Sequence, residues 1–395
     1  MKYQQLPASF YQGARERVAA QLPKGGAAVF FSNDIYPTSA DGTLPFKQAS
    51  DIFYLTGVDQ EETILVLFPS ANQKGFREIL FVRETNEHIA VWEGAKLNKR
   101  QATEQTGIAN IQWVSEFEKV MRVVMNEAQI LCLNDNAHTR ATIEVETREM
   151  RWNEKLRKDY PNHAVARVAP IMHHVRAVKT QDEIDQLQRA INITRQGFER
   201  VMKMMKPGVM EYEIEAEIYH SFLSQRATGA AYHSILASGD NARTLHYVSN
   251  NNICKDGELI LMDFGAEYGG YNADLTRTVP VNGKFSKRQK EVYNACLHLH
   301  DYAKSILKPG ISIVKYTDKV GEEATKQFLK IGLISKADIK NEDAENRAYR
   351  KYLYHGISHH LGLDVHDVGT RTAPIQAGMV FTVEPGIYID RKSVV

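Results

Sequence analysis

Residues 259–278, LILMDFGAEYGGYNADLTRT, constrain the fold more than any other part of the chain. The aliphatic run reads as a buried strand, yet it delivers an aspartate, Asp263. A second, Asp274, follows eleven residues later across Gly269 and Gly270. Paired glycines suit the positive φ angles of a two-residue hairpin turn. With that turn, Asp274 lies opposite Gly265 and Asp263 opposite Thr276, and alternation brings all four to one face. The carboxylates are then diagonal neighbours, roughly 7–8 Å apart at the backbone, and Gly265 leaves the space between them empty. Two carboxylates at the end of a buried strand resist ionising unless a cation neutralises them. Two divalent ions about 3.5–4 Å apart fit that gap. The same residues also suit two solvated aspartates in an ordinary turn.

The segment HGISHHLGLDVHDVG places His355, His359, His360 and His366 within twelve positions, although the whole chain has 14 histidines. It lacks the Glu that follows the first His of a zincin helix, and Gly356, Gly362 and Gly369 give it a loop-like path. Imidazole binds transition metals, while carboxylates suit Mn and Mg. Asp364 and Asp367 flank His366 as candidate acceptors that would orient it. A polar loop with capping histidines is the other reading. Further on, GMVFTVEPGIYI repeats the opening pattern: an expected strand over residues 379–383 delivers Glu384, and Pro385 then removes a ladder donor.

At 395 residues the chain exceeds one ordinary core, so two domains are expected. The first half alternates the apolar runs AAVFF, TILVLF and EILFV with the helical stretches NKRQATEQTG and EFEKVMRVVMNEA, an α/β pattern with a predominantly sheet core. Near residues 170–179 the character changes. Thr180 with Glu183 forms a capping box, and Ile184, Leu187 and Ile191 follow at helical spacing. The expected domains are 1–172 and 173–395. In the second, Lys-Pro-Gly ends a helix at residues 206–208 and again at 308–310, which suggests two related α/β halves around a cleft. Proline and glycine also stop helices for no deeper reason.

A net charge of +1, from 49 basic and 48 acidic residues, gives no field that would gather nucleic acid or an anionic membrane. No apolar stretch approaches a membrane span, and the N-terminus shows no apolar core of a secretory signal. Three scattered cysteines, Cys132, Cys254 and Cys296, fit a reducing compartment rather than a disulfide framework. The expectation is a cytoplasmic protein.

The combination MDFGAEYGGYNADLTRT, HGISHHLGLDVHD and TVEPGIYI resembles the M24 metallopeptidases, in the group of Xaa-Pro aminopeptidases and prolidases. SADGTLPFKQASDIFYLTG, VWEGAKL and RAVKTQDEIDQLQRA are similar to the N-terminal domain and linker of aminopeptidase P. The resemblance implies an N-terminal mixed-sheet α/β domain followed by a pita-bread catalytic domain of two related halves. It implies a metalloaminopeptidase with two divalent ions, usually Mn²⁺, with Co²⁺ or Zn²⁺ as alternatives. Asp263 matches a ligand of one metal, Asp274 the bridging acid, and His359 and Glu384 ligands of the other. His246, His355 and His366 match histidines that contact the substrate, and Glu384 matches the proton shuttle. Asp41, Trp92 and Arg371 match positions tied to peptide binding. Implied partners are proline-containing peptides and further copies of the chain in a dimer or tetramer. The implied reaction is hydrolysis of an Xaa-Pro bond by metal-activated water. The alternatives are a prolidase restricted to dipeptides, a creatinase-like amidinohydrolase and a non-catalytic pita-bread binding protein. The sequence stops at Val395, before the family's second bridging glutamate. It is therefore expected to be a truncated catalytic domain without its C-terminal strand, holding the His359 metal more tightly than the Asp263 metal.

Overall fold

The computed structural model describes residues 3–135, 138, 140, 144–343, 346–370 and 372–390. Two compact units divide the chain, Gln5–Arg176 and Met1–Gln4 with Ala177–Val395. The sequence-based boundary after residue 172 lies inside the helix Ala169–Ala177, four residues before the point where the packing divides.

The first unit is built on β1 (Gly26–Phe31), β2 (Ile64–Leu67), β3 (Glu78–Val82), β4 (Asn110–Trp113), β5 (Ile130–Leu133) and β6 (Ala164–Arg167). They form one sheet in the order β4-β3-β2-β1-β5-β6. The β1–β2 and β2–β3 pairs are antiparallel and the outer pairs parallel, so the sheet is mixed as expected. All six residues of β1 are buried. A strand covered on both faces has no polar side to show, which explains its unbroken apolar run. On one face Phe31 stacks on Trp152 at 5.5 Å between ring centroids, and Phe117 meets both edge-on. The expected helices are present as Lys99–Thr106 and Phe117–Glu127.

The second unit opens with the helix Gln181–Met204, whose Thr180–Glu183 capping box forms in full. Its buried stripe runs through Leu187, Ala190, Ile193, Thr194, Gly197 and Val201. Ile191, read from spacing as a core position, is exposed. The small residues let neighbouring elements approach, so close packing selects a different stripe from the one large aliphatics suggest. Strands β7 (Gly229–Ala230), β8 (Ile235–Ser238), β9 (Leu259–Phe264), β10 (Ala266–Tyr268), β11 (Tyr271–Asn272) and β12 (Leu275–Pro280) form two small sheets, β11-β10-β7 and β12-β9-β8.

The Lys-Pro-Gly echo has a structural counterpart. Gly208 and Gly310 both adopt φ +96° and both precede a capped helix, Glu211–Ser224 and Ile313–Lys330. Residues 379–383 form no strand. They run as an extended segment with isolated bridges, Met379 to Val178 and Phe381 to His360. Its amides and carbonyls pair instead with the irregular backbone of residues 357–361, through Leu361 N to Val380 O, Thr382 N to His359 O and Glu384 N to Ile357 O. A looping partner cannot supply the regular alternation of a ladder. Among the described residues, no helix is long and apolar enough to cross a membrane.

Candidate metal and active site

The glycine turn forms as the sequence indicates. Gly269 and Gly270 have φ of +60° and +82°, and Tyr268 pairs with Tyr271. The register carries through to Thr276 opposite Asp263. Thr276 hydrogen-bonds the Asp263 carboxylate, so the two share a face.

Gly265 differs from its expected role. A Cβ there would lie 1.7 Å from the carbonyl oxygen of Ala273, so the glycine admits the backbone of the opposite strand rather than keeping room for an ion. This close crossing is where the hairpin passes from one small sheet to the other. The contact joining the carboxylates is a tyrosine. Tyr232 Oη donates to Asp263 Oδ1 and lies 3.1 Å from Asp274 Oδ1. Burial and the neighbouring Asp274 push Asp263 up to about 6.

The chain of contacts continues to the histidine segment. His359 Nε2 is 3.4 Å from Asp274 Oδ2 and 3.2 Å from Glu384 Oε1. Thr382 Oγ1 donates to Glu384 Oε1 at 3.1 Å and accepts from the His359 amide at 3.0 Å, fixing the two segments to each other. Burial pushes Glu384 up to about 7, with Asp274 adding repulsion. Burial opposes charge on His359 as well, but its contacts with Asp274 and Glu384 prevail and hold its pKa above the ordinary value. His359 Nδ1 faces the His360 carbonyl at 2.9 Å, an acceptor for the Nδ1 proton, so Nε2 is the nitrogen that would ligate a metal once its own proton is lost.

Asn272 ties the hairpin to the histidine segment. Its buried Nδ2 donates to the carbonyls of Gly362 at 3.1 Å and Leu363 at 2.8 Å. Lys179 Nζ holds Asp367 Oδ2 at 2.8 Å, with both groups buried.

Asp263, Asp274, His359 and Glu384, four residues distant in sequence, are therefore neighbours in space. Among the described residues, no three His, Cys, Asp or Glu side chains close around one point as a finished metal shell. The tyrosine hydroxyl and the imidazole instead meet the negative charge. The donor set nevertheless suits a divalent cation: oxygen and imidazole nitrogen are the ligands of Mn²⁺ and Zn²⁺. Two buried carboxyls with raised pKa values are also the groups a cation would return to their charged form.

The remaining sequence-selected residues divide. His366 is exposed and sets its ring edge-on to His359 at 4.5 Å. His355 is held by the Gly356 carbonyl at 2.7 Å and Tyr388 Oη at 3.1 Å, and burial lowers its pKa. His246 is exposed on the loop between β8 and β9. His360, the fourth of the cluster, is a core residue instead: its ring packs tilted against Phe381 at 4.2 Å between centroids, and burial lowers it to about 4. Asp41 lies in an exposed turn of the N-terminal unit, Trp92 is 78% exposed on the helix Glu87–Glu93, and Arg371 falls outside the described residues. Sequence reasoning missed Tyr232, Thr382 and Tyr388. Tyr388 stands in the quoted GIYI and could have been singled out. Tyr232 gives no local signal, because it reaches Asp263 from the segment leading into the neighbouring strand β8.

Comparisons with known proteins agree with this geometry. Residues 185–395 match metallopeptidase family M24, and residues 11–132 match the aminopeptidase P N-terminal domain. The chain is 35% identical to the Xaa-Pro aminopeptidase of Escherichia coli K12 over 388 residues, covering 96% of this chain and 86% of that protein. It is 31% identical to human Xaa-Pro aminopeptidase 3, covering 91% of this chain and 71% of the relative. Its fold matches E. coli aminopeptidase P bound to the inhibitor Pro-Leu, with a TM-score of 0.88, 33% identity and coverage of 99% and 90%. A zinc-substituted form of that enzyme with product matches at a TM-score of 0.87 and 32% identity, with the same coverage. Both the pita-bread architecture and the N-terminal mixed sheet thus have solved counterparts, and the chain belongs to metallopeptidase family M24.

Proposed function

We propose that the chain is a metal-dependent exopeptidase that releases the N-terminal residue from peptides with proline in second position. The observation that carries this reading is the meeting of His359 with Asp274 and Glu384, 3.4 and 3.2 Å from its Nε2. Asp274, His359 and Glu384 would hold one divalent ion and Asp263 with Asp274 a second, with Mn²⁺ the preferred metal. When bound, such ions lower the pKa of water and polarise a carbonyl.

The chain's own groups supply the rest. Glu384, beside His359 at 3.2 Å, would take and return a proton during turnover. His366, exposed beside His359, would donate to the carbonyl oxygen as charge develops. His355, kept neutral by burial and oriented by Tyr388, would meet the peptide backbone. His246 would contact the terminal amine. Selection for proline would come from shape, since a prolyl nitrogen has no hydrogen to donate.

The test is release of the first residue from a Xaa-Pro-Xaa tripeptide by Mn²⁺-loaded protein, with and without chelator. Turnover that survives chelation, or its absence with Mn²⁺ present, would overturn the reading. Dipeptide turnover without tripeptide turnover would favour the prolidase alternative.

Metal uptake should also release protons at pH 7. Glu384 sits at about 7 and His359 is held above its ordinary value in the metal-free protein, and both must be deprotonated to bind. Calorimetric titration with Mn²⁺ in buffers of different ionisation enthalpy checks this. A heat that does not change between buffers would show that neither group carries a proton for the metal to displace.

A further inference from the structure

Glu211 begins the helix Glu211–Ser224 and is fully buried, yet its carboxylate takes its hydrogen bonds, among the described residues, from outside that helix. Oε1 accepts from the Ser238 amide and the Ser238 hydroxyl, both at 2.7 Å. Oε2 accepts from Tyr247 Oη at 2.8 Å and from the Asn252 amide at 2.9 Å. Ser238 and Asn252 bracket one loop, and Tyr247 lies within it. Asn252 Nδ2 adds a bond to Ser238 Oγ at 3.3 Å, and the Glu211 amide donates to the Asn252 carbonyl at 3.0 Å. One carboxylate therefore closes the loop at both ends and grips its middle.

The loop carries His246, next to Tyr247. Thr244, Leu245, His246, Val248 and Ser249 are all exposed, so packing does little to order this stretch. Ordering falls to hydrogen bonds, and those to an ionised, water-excluded acceptor are the strongest available. A carboxylate needed only to cap its own helix would bond that helix's first amides.

We propose that Glu211, acting through Tyr247, is a positioning residue that sets where the loop presents His246 to the peptide. This deepens the reading of the site given above and rests on the assignment of His246 made there.

A double-mutant cycle on the Mn²⁺-loaded chain tests it, with kcat and KM measured on a Xaa-Pro tripeptide. Tyr247→Phe removes only the hydroxyl. It should lower kcat/KM about tenfold, dividing between kcat and KM as His246→Ala does. In a His246→Ala background the same change should have no further effect, because nothing is left to position. An equal loss in both backgrounds, or no loss in either, would overturn the proposal. Glu211→Gln turns two donors of its own toward groups that need an acceptor, so amides of residues 239–251 should exchange faster with solvent than in the parent. Unchanged exchange there would also overturn it. If Glu211→Gln does not fold, the Tyr247–His246 cycle still decides. If His246→Ala keeps full activity, the assignment of His246 fails, and the exchange experiment alone judges the anchor.

Discussion

Glu384→Gln should abolish peptidase activity and, in the metal-free protein at neutral pH, raise the melting temperature. The two effects have one cause. Burial and the neighbouring Asp274 push the Glu384 carboxyl up to about 7 from an ordinary 4.5. A carboxyl whose folded pKa exceeds its unfolded one contributes stability fully below the unfolded value, and loses it as pH rises through the folded one. For Glu384 that window runs from about 4.5 to about 7. Glutamine fills the same volume, can still accept from Thr382 Oγ1, and removes the pH-dependent term. The substituted protein should therefore unfold at a temperature that varies less between pH 5 and pH 8, as calorimetry without metal would record. On the roles proposed for it, catalysis would lose both a negative ligand and a group able to move a proton, and removing such a group alone costs roughly 10²–10⁴-fold in kcat. Unchanged turnover would remove Glu384 from the mechanism. An unchanged pH profile of stability would show that its carboxyl is not held back from ionising. Stability given up at a site that works is a general feature of enzymes.

Gly265→Ala should be severely destabilising, by about 3 kcal/mol or more. The added methyl would have to occupy a point 1.7 Å from the Ala273 carbonyl oxygen and 3.2 Å from the Asp274 amide nitrogen. These are backbone atoms, which cannot rotate aside as a flexible side chain can. The strands must part at the crossing between Asp263 and Asp274. Both carboxylates would then leave the reach of Tyr232, and metal affinity should fall together with stability. Urea denaturation and Mn²⁺ titration of the same preparation check both. An alanine protein within about 0.5 kcal/mol of the parent would show that the crossing can relax.

Much of this was legible in the chain because its rules are local. The period of two in a strand and the positive φ of Gly269 and Gly270 fix the hairpin register residue by residue, and Thr276 meets Asp263 as that register requires. The Thr180 capping box depends only on residues three apart. The resemblance to M24 peptidases rests on motifs that survive as strings, and the family assignment agrees with it. Errors arose where a side chain's role depends on a distant neighbour. Ile191 has the right spacing for a core residue, but the helix buries its small-residue stripe instead. His360 shares the histidine cluster with the site residues but is a core ring against Phe381.

The sequence by itself determined the Thr180 capping box, the hairpin register and which acids end apolar runs, since each follows from backbone geometry over a few residues. Only the tertiary structure decided what stands between them. Tyr232 comes from the lead into β8, Thr382 from an extended segment 23 residues past His359, and Glu211 from the start of a helix 35 residues before His246. Contacts of this reach are set by how sheets and loops pack, and packing satisfies buried charge with whichever donor the fold brings near.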